Sequence, residues 1–165
     1  MKIAVISDIH DNIWNLKEAL KLIKKKAINT AIFCGDYCSP TAFMMAVEPF
    51  RMCFCIWGNV DGEKFKLTQK VYEMNMKNVK LLGDFGEVEI DKRKVAIIHN
   101  PRIAEIIAIS GEYDAVFFGH THKYHSEFRS ETLLANPGEV MGISGKPSFG
   151  IWDTKSNKMK KVIIK

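Results

Sequence analysis

Apolar positions in the first third of the chain come in short blocks, each closed by glycine or a carboxylate. Residues 2–7, KIAVIS, are β-branched and apolar on both faces, the pattern of a strand in the middle of a sheet. Ile13, Leu16, Ala19, Leu20 and Ile23 then recur at helical spacing and predict an amphipathic helix. TAIFC reads as a second strand and MCFCIW as a third. Between them SPTAFMMAV predicts a helix with Ser39 as cap and Pro40 at the first position, where no hydrogen-bonded amide is lost. A further helix is expected after GNVDGE, running to about Met74.

The middle of the chain changes character. VKLLG, EVEI and KVAIIH are short strands parted by glycine and charged turns, which predicts a meander. NPRIAEIIAIS predicts a helix capped by Asn100, opened by Pro101 and stopped by Gly111. DAVFFGHTH is a strand running into a loop; ETLLANPGEV, PSFGIWD and KMKKVIIK close the chain as strands and turns. No repeat or linker interrupts the 165 residues, so one domain over 1–165 is expected. A β-α-β-α-β opening followed by hairpins implies a mixed α/β sandwich, not a purely parallel sheet.

Composition sets limits on this picture. With 47% hydrophobic and 26% charged residues, the chain should be an ordinary globule. No apolar run approaches the roughly 18 residues that cross a bilayer. MKIAVISD reaches Asp8 too soon for the apolar core of a signal peptide. A cytoplasmic protein without a membrane partner is therefore expected. Cys34, Cys38, Cys53 and Cys55 lack the two paired C-x2-4-C spacings of a structural zinc site, and three of them lie in strand-like runs. They are read as buried core thiols. The net charge of +5 is spread over Lys24–Lys26 and the C-terminal lysines. It favours anionic substrates and is too scattered to indicate nucleic acid.

The candidate chemistry follows the strands. Asp8-x-His10, Gly35-Asp36, Gly58-Asn59-x-Asp61, His99 and Gly119-His120-x-His122 each stand just beyond an apolar run. In α/β sheets, ligands bind beyond the carboxyl ends of strands. That rule would bring Asp8, His10, Asp36, Asn59, His99, His120 and His122 to one edge. Carboxylate, amide and imidazole donors suit Mn, Fe, Zn or Ni. Seven such groups exceed one tetrahedral site and fit two ions about 3.5–4 Å apart that share a carboxylate. The glycines before Asp36, Asn59 and His120 would let the backbone turn sharply there.

In the order DIH, GD, GNVD, IIH and GHTH, the chain resembles the calcineurin-like metallophosphoesterases over nearly its whole length. Its length and its late NPGE are similar to the small single-domain YfcE-type phosphodiesterases. The resemblance implies an α/β fold, a four-layer αββα sandwich of two mixed sheets flanked by helices. It implies a first metal held by Asp8, His10, Asp36 and His122, and a second held by Asp36, Asn59, His99 and His120, with Asp36 bridging. It puts Asp36, Asn59 and His99 at the catalytic centre. The implied cofactors are two divalent ions per chain, Mn or Ni first, with Zn, Fe or Mg also compatible. The implied reaction is hydrolysis of a small phosphodiester by a hydroxide that bridges the metals.

The chain also departs from the pattern. Many members carry His after the Asn, where it assists the leaving group; here that position is Val60. His125 is a candidate substitute, with a surface histidine as the alternative. Asp61 is a candidate for orienting the imidazoles, or else a turn residue at the surface. Asn100 replaces the usual glycine after the lone histidine and is explained by its capping role. Arg102, in the same helix's first turn, is read as exposed rather than as a phosphate contact. Two other functions compete: a protein-interaction scaffold on the same fold, and a nuclease using Tyr37, Trp57 or Tyr124 to stack bases. Retention of all seven donors favours the enzyme. A homo-oligomer is left open.

Overall fold

The computed structural model describes residues 1–165. The elements run β1 (Lys2–Ile6), α1 (Ile13–Lys25), β2 (Thr30–Phe33), α2 (Pro40–Val47), β3 (Met52–Cys55), α3 (Lys64–Glu73), β4 (Val79–Leu81), β5 (Phe85–Ile90), β6 (Arg93–Ile98), α4 (Pro101–Ile109), β7 (Ala115–Phe117), β8 (Tyr124–Arg129), β9 (Thr132–Pro137), β10 (Ser148–Asp153) and β11 (Lys158–Ile163). One sheet has the order β11-β10-β1-β2-β3-β4, the other β5-β6-β7-β9-β8. Both are mixed: β1 to β4 pair in parallel and so do β6, β7 and β9, while β10, β11, β5 and β8 pair antiparallel.

Burial follows the period of each strand. Along β1, Ala4 and Ile6 face the helices α1 and α2, and Ile3 and Val5 face the other sheet. The residue between two layers must be apolar on both sides, which is why KIAVIS shows no alternation. A cluster including Leu16, Ile23, Phe33, Phe43 and Phe149 fills the space between the first sheet and its helices. A second, with Val5, Ile97, Phe117 and Trp152, lies between the sheets. A third, with Ile98, Ala104, Ala108 and Val116, seats α4 on the outer face of the second sheet. The layers are thus helix, sheet, sheet, helix, the four-layer αββα sandwich expected.

The helix caps also stand where the sequence puts them. The Ser39 side chain accepts from Ala42 N, and Asn100 Oδ1 accepts from Arg102 N and Ile103 N. The meander does not form as expected. β4 lies parallel to β3 at the edge of the first sheet, and only β5 and β6 make a hairpin. The pattern of VKL marks a strand, but α3 carries the chain back across the sheet before it, so the pairing is a parallel crossover. The cysteines need one correction as well. Cys34, Cys53 and Cys55 are fully buried, but Cys38 is only half-buried, beside His10.

Candidate metal centre

The carboxyl ends of β1, β2, β3, β6 and β7 meet at one edge of the two sheets. Asp8, His10, Asp36, Asn59, His99, His120 and His122 all lie in the turns that leave them. Two tight groups result: Asp8, His10 and His122, and Asp36, His99 and His120, with donor atoms in each group within 4.8 Å of one another. Asn59 joins the second group, its Oδ1 lying 2.9 Å from His99 Nε2 and 2.8 Å from His120 Nδ1. Asp36 Oδ2 reaches both groups, 3.5 Å from His10 Nε2 and 3.1 Å from His99 Nε2.

These turns are strained. Asp8 (φ 54°), His10 (45°), Asp36 (60°), His120 (68°) and His122 (60°) all adopt the left-handed region that L-residues avoid. Each such residue costs about 1–2 kcal/mol. Clustered strain of this kind persists where the surroundings over-determine it, typically at functional sites. The glycines divide between two tasks. Gly35 itself has φ +94° and makes a turn. Gly58 is needed for close approach, since a Cβ there would stand 2.0 Å from Asp36 Oδ1.

Asp61 holds this backbone in place. It is buried, and its carboxylate accepts from Asp36 N (2.9 Å), Tyr37 N (2.8 Å), Cys38 N (2.9 Å) and Gly58 N (2.7 Å). It therefore orients the loops after β2 and β3 and touches no imidazole, which corrects both sequence readings of it. The imidazoles have other partners. His99 Nδ1 lies 2.7 Å from the Cys34 carbonyl, and His122 Nδ1 lies 2.8 Å from Glu139 Oε2. His10 Nδ1 has only the Cys38 thiol, at 3.6 Å. Asp8 accepts the His120 amide at 3.1 Å. Asn136 Nδ2 donates to the Gly119 carbonyl at 2.8 Å and so braces the GHTH turn. Sequence reasoning passed over Glu139 and Asn136. The NPGE segment contains both, but nothing local in it says that β9 runs parallel beside β7.

The electrostatics suit a cation. A carbonyl can only accept, so His99 Nδ1 carries its hydrogen toward Cys34. In the neutral ring, Nε2 then turns a lone pair on Asp36 Oδ2 and Asn59 Oδ1, which are acceptors too. Lone pairs that converge this way require a positive charge between them. His10 Nε2 is likewise buried without a hydrogen-bond partner. Burial pulls the His99 pKa down, but the Asp36 hydrogen bond and charge, the Cys34 carbonyl and Asp8 outweigh it and raise it. Burial pushes Asp36 up, yet the His99 hydrogen bond and charge, the Val60 amide and His10 hold it below the usual value. Burial dominates at Asp8 and raises it. Nitrogen and hard oxygen donors, pre-oriented around the buried Asp8, Asp36 and His99, thus fit divalent cations.

The remaining sequence candidates lie elsewhere. His125 pairs with Glu127 at 3.0 Å on β8 and contacts Phe118, outside the cluster. Tyr37 and Trp57 are buried in the cluster under α2, so neither can stack a base. The Tyr124 hydroxyl donates to Met159 O. Val60 exposes its side chain, and its amide donates to Asp36 Oδ1 at 3.1 Å.

An αββα sandwich with paired His/Asp clusters at its strand ends defines a metallophosphoesterase. The family model of the calcineurin-like phosphoesterase superfamily domain matches residues 1–157, and the chain belongs to that family. It is a hydrolase of phosphoric esters. It is 33% identical, over 99% of each chain, to Phosphodiesterase MJ0936 of Methanocaldococcus jannaschii. A solved archaeal phosphodiesterase superposes with TM-score 0.89 at 34% identity, covering 99% of each chain. The E. coli phosphoesterase YfcE shares the fold, with TM-score 0.67 at 18% identity and full coverage of both chains. No helix is long and apolar enough to cross a membrane.

Proposed function

We propose that the chain is a dinuclear phosphodiesterase. Asp8, His10, Asp36 and His122 would hold one divalent ion, and Asp36, Asn59, His99 and His120 the other. The observation that carries this reading is the position of Asp36 Oδ2, within 3.5 Å of His10 Nε2 and 3.1 Å of His99 Nε2, where it can serve both groups. When bound, the ions would activate a water and neutralise charge on the phosphoryl oxygens.

The protein's own residues do the positioning. Asp36 is fixed at one oxygen by the Val60 amide, leaving the other for the metals. The Cys34 carbonyl and the Glu139 carboxylate set the tautomers of His99 and His122, so that each turns Nε2 inward. His120 and Asn59 are exposed, so the second group is open to solvent. No ionisable side chain stands at position 60, so the leaving group departs unassisted or takes its proton from water. The relatives named above as phosphodiesterases support a diester over a monoester, and the donor set is compatible with Mn or Ni.

The test is turnover of bis(4-nitrophenyl) phosphate and 4-nitrophenyl phosphate by metal-stripped protein, before and after Mn or Ni. Activity that returns with metal and favours the diester is expected. Inactivity with every common divalent ion would favour the scaffold reading.

A further inference from the structure

A groove of about 320 Å³ opens directly from the second ligand group. It is lined by Asn59, His99 and His120 of that group and by Ile98, Ile103, Lys64, Asp84 and the nearly buried Trp57. Asn59, His99 and His120 are explained by the metal centre. The wall beyond them is not.

Two of its features cost the protein something. Ile103, in the first turn of α4, leaves 45% of its surface in water. Lys64 opens α3, where a cation opposes the helix dipole, and the acidic N-cap Glu63 pairs with Lys66 instead. Its partner Asp84 lies 2.8 Å away, but the two side chains are 41% and 78% exposed. Such pairs contribute little, so Lys64 can turn to another anion at small cost. The groove therefore joins phosphate-binding donors, one weakly held ammonium and an aliphatic surface provided chiefly by Ile103.

We infer that this groove seats a planar, uncharged ester substituent of the substrate, an aryl or nucleobase-sized group, against Ile98 and Ile103, while Lys64 contacts the adjoining phosphoryl oxygens. This rests on the phosphoesterase reading of the centre and adds its specificity. Ile103 discriminates by shape and apolarity. Lys64 contributes charge, which is indifferent to the substituent. The two roles leave different signatures: one changes the ratio of affinities between ligands, the other scales both together.

The experiment uses non-hydrolysable probes. Phenylphosphonate and methylphosphonate are titrated calorimetrically into Mn-loaded protein, and bis(4-nitrophenyl) phosphate turnover is measured on the same samples. Wild type should bind phenylphosphonate about tenfold more tightly, the gain expected from burying one ring face. In Ile103→Asp the two dissociation constants should come within about twofold of each other, since the exposed wall loses its apolarity. In Lys64→Met both should weaken by roughly the same factor, about three- to tenfold, with their ratio kept. Melting temperatures check that both variants are folded, which their exposure favours. Equal affinities in active wild-type protein, or an unchanged ratio in Ile103→Asp, would overturn the groove assignment alone. Failure of both probes to bind, together with absent turnover, would overturn the phosphoesterase reading and this inference with it.

Discussion

Replacing Asp61 by alanine should damage the protein more than removing any one of the proposed metal ligands, when stability is measured without metal. Its buried carboxylate takes four backbone N–H groups, at 2.7 to 2.9 Å, from Asp36, Tyr37, Cys38 and Gly58. A hydrogen bond to a charged acceptor contributes about 1.5–3 kcal/mol, and a buried donor left unpaired costs about 1–3 kcal/mol. Four such terms do not add fully, because water can enter the space left behind. The loss expected here is about 3–5 kcal/mol, the range for removing one partner of a buried ion pair. For a chain of this length each kcal/mol is worth about 2–4 °C, so the melting temperature should fall by roughly 6–20 °C. Asp61→Asn should lie close to Asp61→Ala, since an amide NH₂ would face donors. Scanning calorimetry on chelator-treated protein gives the number free of metal linkage. A loss under about 1 kcal/mol, the range of an ordinary surface substitution, would refute the bracing role.

Asp36→Asn should lower kcat/KM at saturating metal far more than His125→Ala, because Asp36 faces both ligand groups and His125 faces neither; equal losses would contradict the ranking. Glu139→Gln should weaken metal affinity by about 10–100-fold through His122, read by competition with a chelating dye. Wild-type kcat/KM should fall steeply from aryl to alkyl diesters, and Val60→His should narrow the gap, general acid assistance being worth about 10²–10⁴-fold; a flat wild-type dependence would sink the idea. The metal-free protein should lose stability as pH rises above about 6.5, the ordinary value of a histidine. His99, with its pKa raised, contributes fully below its ordinary 6.5 and loses that contribution as pH rises through its folded value. Asp8, also raised, acts in the same sense, whereas Asp36, lowered, protects at higher pH and fails only in acid. Melting curves across that range check the trend, which bound metal should abolish.

Local chemistry was legible in the sequence wherever a few neighbouring residues decide the outcome. KIAVIS, the Ser39 and Asn100 caps and the strand-end donors all carry their signal within ten residues. The sheets were less legible, because a strand's pattern reports its burial and not its neighbour. VKL has the same pattern at the edge of the first sheet as it would have in a hairpin of the second. Asp61 and Glu139 failed for a related reason. Three of Asp61's four partners are 23 to 25 residues away, and Glu139's partner His122 is 17 away, reached only once β3 lies beside β2 and β9 beside β7. A carboxylate after a strand reads alike whether it holds a metal, a histidine or a bundle of amides.

The central claim is that two ions, sharing Asp36, act together on a phosphodiester. Titrating stripped protein with Mn while following bis(4-nitrophenyl) phosphate turnover tests it directly. The account predicts that activity stays low through the first equivalent and reaches its plateau only near about two per chain. A plateau reached at one equivalent, or none at any loading, would contradict it.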